Sequence, residues 1–395
     1  MSGFHASREL VLVLVAKGVR TFCYGYLGIF LPLYLIELGL SAAGVGAFVT
    51  LTLAGSAGLT WATRASAERV GARGSLLLLA ALTIAAAAIL LATRQPWIVV
   101  VAAMLGNVAV GTGETGPFLS IEQVVVARAV APEQRTSMLS LYNLLGYGAA
   151  AVGAGAVAAG GPRTLFAGFL AAGVIQAVAY AGLGRLVLAP RAAGAAVATP
   201  VIRRIAALFA LDSFAGGFVL QSLVAYFLHA RFDLGLEALG RVFLVAQLLT
   251  AGSLLLAPRL ARAFGLLPTM VVTHLVSNVF LIGIAAAPSA TIAVVLLFAR
   301  QLLSQIDVPT RQAWVMTIVR DHERESAATT TTLWRTSAQA ITPLATGWIM
   351  QSLALSSPFV LGGGLKIVYD ILLWKAFKDL KPPESPGARE GREAR

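Results

Sequence analysis

Apolar runs of about 20 residues recur along the whole chain, separated by short polar or basic stretches. At about 1.5 Å per residue such a run crosses a hydrocarbon core roughly 30 Å thick. The pattern therefore predicts an all-α membrane protein. Twelve spans can be drawn: 10–36, 42–63, 74–93, 97–124, 136–160, 164–188, 203–229, 239–258, 268–287, 290–318, 326–352 and 358–378. The stretch that interrupts this pattern most sharply is Ala299–Arg335. Arg300, Asp307 and Arg311 are spaced i, i+7, i+11, which places them on one face of a helix. A charge at the bilayer centre costs at least about 2.5–3.5 kcal/mol on insertion scales, so that face must meet water or partner charges.

Composition agrees with the pattern. The 395 residues are 58% hydrophobic and 12% charged, against about 25% charged in an ordinary soluble protein. The net charge of +12 does not indicate a nucleic-acid partner, because the basic residues lie in short loops and not on a soluble face. With both termini inside, the cytoplasmic segments hold Arg8, Arg64, Arg69, Arg73, Arg128, Arg135, Arg185, Arg191, Arg203, Arg204, Arg259, Arg262, Arg320, Arg324 and the six basic residues from Lys375 onward. The other side holds Arg94, Arg163, Arg231 and Arg241. That asymmetry predicts a multi-pass protein of the cytoplasmic membrane with both termini cytoplasmic. Residues 10–36 are too long for a cleavable signal core. Cys23 is the single cysteine, which excludes an internal disulfide and a cysteine-based metal site.

The segment Pro190–Pro200, rich in Ala, Gly and Pro, divides the chain into nearly equal halves. The predicted organisation is a bundle over 1–189, a linker over 190–202, a second bundle over 203–380 and a disordered tail over 381–395. The halves echo each other. PEQR at 132–135 matches the setting of DHER at 321–324, and Gly71 of RVGARG falls near Gly265 of RAFGLL, an offset of 194. Parallel repeats of this kind are a known transporter plan.

Twelve spans in two six-span halves, with a basic loop after the second span, resemble the major facilitator superfamily (MFS). The family's loop signature is Gly-x-x-x-Asp/Glu-Arg-x-Gly-Arg/Lys-Arg/Lys. Here Glu68, Arg69, Gly71 and Arg73 match it, while Arg64 and Ala72 depart from it. The stretches 113–123, 208–227 and 300–314 also look like a prokaryotic subgroup of that superfamily. The arginine found early in span four of many proton-coupled antiporters is absent, with Asn107 and Gly111 in that region. The resemblance implies that spans 1, 4, 7 and 10 line a central cavity, that 2, 5, 8 and 11 form the rocking faces, and that 3, 6, 9 and 12 are peripheral. It also implies that Glu68, with Arg69 and Arg73 beside it, docks at the start of span eleven and latches the halves with the cavity facing outward.

Counting along the helices gives depth. Arg20, Asp212, Arg300 and Arg335 each fall about 14–18 Å into their spans, near the midplane. These four are the candidate substrate contacts. Three are arginines, which bind carboxylate or phosphate in a two-pronged manner, so an anionic or zwitterionic small substrate is expected. Glu114, Asp307, Glu122 and Arg311 fall nearer the cytoplasmic end. They are the candidate gating and coupling residues, with Glu114 or Asp307 as a proton carrier. Against these roles stand permanent pairs: Asp307 with Arg311 and Lys366 with Asp370, each at i, i+4. His274 and Asn278 are expected to hydrogen-bond within the bundle, Pro309 to kink span ten just below Asp307, and Tyr34 to anchor at the interface.

The expected function is secondary active transport by alternating access, with efflux placed ahead of proton-coupled uptake. Besides the substrate, the expected partners are the bilayer and protons; the chain is expected to be a monomer, with no cofactor and no metal. A polytopic enzyme would need a metal cluster or an activated nucleophile, and the four scattered histidines (His5, His229, His274, His322) supply neither. A non-transporting receptor or scaffold is the remaining class, separated from a transporter by flux in liposomes.

Overall fold

A computed structural model describes residues 8–111, 116–131, 134–184, 199–319 and 324–379, without the side chains of 64–69, 127, 136, 137, 316, 324–326, 328 and 329. The expectations for Glu114, for the side chains of Glu68 and Arg69, for linker residues 190–198 and for the tail 381–395 fall outside the described residues. All regular structure among the described residues is helical. In chain order the helices are α1 (Arg8–Glu37), α2 (Ala42–Ala92), α3 (Pro96–Leu105), α4 (Pro117–Arg128), α5 (Arg135–Gly155), α6 (Pro162–Ala181), α7 (Pro200–Gly217) and α8 (Gln221–Phe232). They continue with α9 (Leu236–Phe264), α10 (Leu266–Ala285), α11 (Ala290–Ser304), α12 (Asp307–Ile318), α13 (Arg324–Ser352) and α14 (Ser357–Phe377). Eight helical stretches among the described residues are long and apolar enough to cross a membrane.

Local sequence explains the ends. Ser41, Thr199 and Ser289 cap α2, α7 and α11, their side chains accepting from the backbone N–H of Gly44, Ile202 and Ile292. Pro200 at the first position of α7 starts that helix three residues before the predicted span, since proline is pre-shaped for that place. Within α2 the backbone breaks at Gly71, with φ 71° and ψ 177°, so α2 is two arms meeting at a sharp bend. Gly265, between α9 and α10, has φ 86° and ψ 162°. This region of backbone space is open essentially to glycine alone, and it recurs at the offset of 194 noted above.

Three helical paths are interrupted: between α3 and α4, between α7 and α8, and between α11 and α12. Gly116, with φ 110°, and Pro117 restart α4. The third break has Pro309 as its cause. Proline lacks the N–H for the bond to Gln305, and its ring crowds that turn. The chain accordingly leaves the helix at Gln305 and Ile306, before Asp307 and not below it as predicted. Asp307 thus opens α12.

Helices α1 to α6 pack on one another, as do α7 to α14. The two groups meet chiefly where α2 faces α13 and α5 faces α9, with α1 touching α8 and α9. The apolar core is divided unequally. One cluster joins both groups on the side where α1 ends, which we call distal; it includes Phe30, Leu31, Phe48, Phe166, Leu223, Phe227, Phe243, Met350 and Phe359. On the proximal side, where α1 begins, each group has its own cluster, around Leu10, Phe118 and Tyr142 in one and around Phe209, Trp314 and Tyr369 in the other. The small-residue run of α5 permits its close contacts. A Cβ on Gly25 would meet the Ala150 carbonyl carbon at 2.9 Å, and one on Gly240 would meet the Ala154 carbonyl oxygen at 2.7 Å. Tyr34 is not an interface anchor: it is 5% exposed, stacked on Phe30 and edge-on to Phe166 inside the distal cluster.

Candidate functional site

Two buried charge clusters are present among the described residues. In the first, Arg20 of α1 faces Glu122 of α4, Nη2 to Oε2 at 2.6 Å and Nη1 to Oε1 at 3.1 Å, with both side chains fully buried. The hydroxyls of Tyr142 and Tyr180 donate to Glu122, each at 2.6 Å. Arg20 also donates to the Tyr180 hydroxyl at 2.8 Å and stacks over Phe118 at 4.3 Å. Four donors saturate this carboxylate. Arg20, expected at a substrate site, and Glu122, expected at a gate, are held together and neither lines the cavity. Depth counting separated them because it ignores the length of the arginine side chain.

The second cluster centres on Asp212 of α7. Lys366 of α14 donates to its Oδ1 at 2.6 Å and Arg311 of α12 to its Oδ2 at 3.2 Å; His274 Nε2 of α10 lies 3.4 Å from Oδ1. Arg311 also pairs with Asp307 at 2.9 Å, one turn back on its own helix. His274 Nδ1 lies 2.8 Å from Asp370 Oδ1, and Asn278 Nδ2 donates to the other oxygen of Asp370 at 3.4 Å. Lys366 and Asp370 therefore do not pair with each other. Both sit on the face of α14 turned to α7 and α10, where Asp212 and His274 are nearer partners. The two depth layers drawn from sequence merge here, because Arg311 reaches up one turn to Asp212.

Beside this cluster is a cavity of about 230 Å3, room for roughly eight waters' share of liquid volume or one small metabolite. It is bounded by all three helix interruptions, through Asn107–Gly111, Val219–Leu220 and Gln305. Irregular backbone at membrane depth is tolerated where it lines such a space. Asp212, Arg300, Asp307, Arg311 and Arg335 all line it, so five of the predicted site residues are brought together. Lys366 and His274 join them from helices expected to be peripheral. Among the described residues α1 contributes none of the lining, contrary to the expectation for span one. Arg73, partly buried beyond the bend at Gly71, also lies away from it.

Among the described residues, Arg300 and Arg335 are bound by neutral groups only. Arg300 Nη1 donates to Gln301 at 2.9 Å and its Nε, though buried, has no partner; Arg335 Nε donates to Ser213 at 3.0 Å. No carboxylate among the described residues comes within 4.0 Å of either. Asn107, which also lines the cavity, has φ 51° and is 3% exposed, and neither its amide nitrogen nor its oxygen has a partner among the described residues. Sequence reading passed over Asn107 and His274 as site residues. An asparagine followed nine residues later by Gly-Pro was the available signal for the first. Asp212, His274 and Asp307 bring donor atoms within 4.8 Å of one another. Both carboxylates already hold cationic side chains, so the set suits a charge network better than a metal ion.

No family model matches the chain. An uncharacterized membrane protein of Saccharomyces cerevisiae, YJR124C, is 22% identical over 419 residues, covering 93% of this chain and 94% of that protein. Among solved structures, a point mutant of the nucleoside transporter NupG superposes with a TM-score of 0.77 at 12% identity, over 94% of this chain and all of that one. The chain has the fold of a transporter. The inward-open xylose transporter XylE from E. coli gives a TM-score of 0.73 at 14% identity, over 96% and 97% of the two chains. The human organic anion transporter MFSD10 (TETRAN) gives 0.67 at 14% identity, over 94% and 100%. The shared fold, the membrane-protein relative and the apolar helices together make this a multi-pass membrane protein.

Proposed function

We propose that the chain is an MFS-type secondary transporter that moves a small organic anion, or a zwitterion with an exposed anionic group, by alternating access. The observation that carries this reading is the pair of half-buried arginines, Arg300 and Arg335, that line the cavity without a carboxylate partner among the described residues. Four cationic side chains and two carboxylates line that cavity: Arg300, Arg311, Arg335 and Lys366 against Asp212 and Asp307. A carboxylate or phosphate would complete it, because guanidinium offers paired donors to such groups.

In this reading the chain crosses the membrane twelve times. The two arms of α2 count separately, and α3 with α4, α7 with α8, and α11 with α12 each form one interrupted crossing. Crossings one to six, within 1–189, and seven to twelve, within 203–380, are the two bundles joined by 190–202. Both termini are cytoplasmic by the distribution of basic residues, in the cytoplasmic membrane. The distal apolar seam then closes the outer side, and the cavity faces the cytoplasm. Uptake with a proton is preferred to efflux, because His274 lies between Asp212 and Asp370 at the wall of the same cavity, where a proton and an anion can be held side by side.

The test is thermal stability of the purified protein against small carboxylates, phosphomonoesters, zwitterions and cations. A ligand that binds only the folded state raises stability by RT ln(1 + [L]/Kd), about 2.7 kcal/mol at a hundredfold excess over Kd. Stabilisation by an anion, lost in Arg300→Ala and followed by counterflow of that anion in liposomes, is the expected result. Stabilisation by cations alone, retained in Arg300→Ala, would overturn the anion reading. A receptor would bind without counterflow.

A further inference from the structure

We propose that His274 is the proton-binding group of this site and that it takes up its proton together with the anion. The proposal rests on the anion-transporter reading above. His274 is buried, at 4% exposed, but lines the cavity, which gives a proton a route to it. It is set between two carboxylates on different helices: Asp370 of α14 against Nδ1 at 2.8 Å, and Asp212 of α7 against Nε2 at 3.4 Å. Lys366 Nζ lies 3.5 Å from Nε2, and the Tyr369 ring stands edge-on at 5.7 Å between centroids. From its own helix Asn278 is one turn away. From α12, Asp307 and Arg311 reach it through Asp212. Arg300 of α11 and Arg335 of α13 line the same cavity. The charged residues of α9, Glu237, Arg241, Arg259 and Arg262, sit near its two ends.

The chemistry follows from the sharing of one oxygen. In the neutral imidazole Nδ1–H donates to Asp370, and the Nε2 lone pair accepts from Lys366. A second proton goes onto Nε2, which then donates to Asp212 Oδ1, the oxygen that Lys366 holds at 2.6 Å. Two cations now compete for one acceptor at 3.5 Å from each other, so the Lys366 ammonium is loosened toward the cavity. An anion there receives it. In the other order, an anion that draws Lys366 away leaves Oδ1 open to the imidazolium. Either ligand favours the other by the same factor.

Charge counting leads to the same place. In the contact network Asp212, Asp307 and Asp370 face Arg311 and Lys366, which leaves one carboxylate over. An imidazolium balances it, and Arg300 and Arg335 remain for the anion. No bond but the N–H forms, and the proton leaves from Nε2 when the site faces the other side. Histidine changes charge near neutral pH, where Asp and Arg do not. Asp307 is the poorer carrier because Arg311 holds its carboxylate. Joint loading of a proton and an anion makes the cycle a symport.

The experiment is 15N NMR of histidine-labelled full-length protein in lipid nanodiscs, titrated from mildly acidic to mildly alkaline pH. His274→Gln identifies the resonances, and Asp370→Asn serves as a second variant that keeps the imidazole. Sulfate and succinate are the anion probes, sulfate because it does not itself titrate in this range. The expected result is a His274 transition between neutral and doubly protonated forms, moved to higher pH by the probe that stabilises the protein. Arg300→Ala should remove the shift while leaving the transition, and Asp370→Asn, which takes away the carboxylate facing Nδ1, should displace the transition itself. A His274 signal that stays in one state throughout overturns the proposal. Stabilisation by a probe with an unmoved transition overturns the coupling and leaves the anion site standing. Stabilisation by neither probe removes the anion site, and the proposal with it.

Discussion

Arg20 and Glu122, 102 residues apart, form a two-pronged ion pair with neither side chain exposed, and two tyrosine hydroxyls complete the carboxylate. Removing one member leaves the other charged in an apolar setting, which costs about 3–5 kcal/mol for a buried pair. Arg20→Met and Glu122→Gln should each lower the unfolding temperature sharply. The double variant should cost much less than their sum, because neither charge is then stranded. Additive losses in that cycle would mean the pair is not coupled.

Gly71 and Gly265 carry the bends between successive helices in the two halves. Alanine at either would be forced into a backbone region that costs of order 1–3 kcal/mol. Gly58, helical and with open space within 4 Å of where a Cβ would stand, is the comparison site. Gly58→Ala should be neutral or stabilising by up to about 1 kcal/mol through helix propensity. Thermal unfolding of the three alanine variants checks the contrast.

Gly46 of α2 and Gly347 of α13 cross on the distal side. A Cβ on Gly46 would overlap the Pro343 carbonyl oxygen and come within 2.9 Å of Gly347 Cα. Backbone on both sides leaves no flexible group to yield. Gly46→Val should therefore push α2 and α13 apart and favour the state in which the distal side is open. Distances between spin labels at the distal ends of α2 and α13 should lengthen. An unchanged distribution would show that this crossing does not control closure.

Asn107 combines a left-handed backbone with an amide that has no partner. Asn107→Gly should preserve or slightly raise stability, since glycine relieves a cost of about 1 kcal/mol in that conformation. The same change should weaken whichever ligand stabilises the protein in the panel. Equal binding by the glycine variant would exclude this amide from the site.

Much of this was legible in the sequence for physical reasons. Hydrophobic length fixes where helices run, and the cost of burying charge forces Asp212, Arg300, Asp307, Arg311 and Arg335 to converge. Gly71 and Gly265 were visible as a repeat because only glycine serves such a bend. What could not be read was the rotation of each helix about its axis. Lys366 and Asp370 looked self-sufficient at i, i+4, but shared facing brings both against α7 and α10, where Asp212 and His274 bind them instead. Arg20 was placed at a plausible depth and on the wrong wall. The breaks at Phe218 and Gln305 escaped a hydropathy reading, since a helix can stop and restart within one apolar run.

The apolar cluster that unites both groups of helices on the distal side has a calorimetric consequence. Opening that side wets the surfaces of Phe30, Phe48, Phe227 and their neighbours, and hydrating apolar surface raises heat capacity. In the alternating-access reading proposed above, the balance between the two facing states should then curve with temperature. Because apolar attraction weakens on cooling, chilling the protein should by itself populate the distally open form.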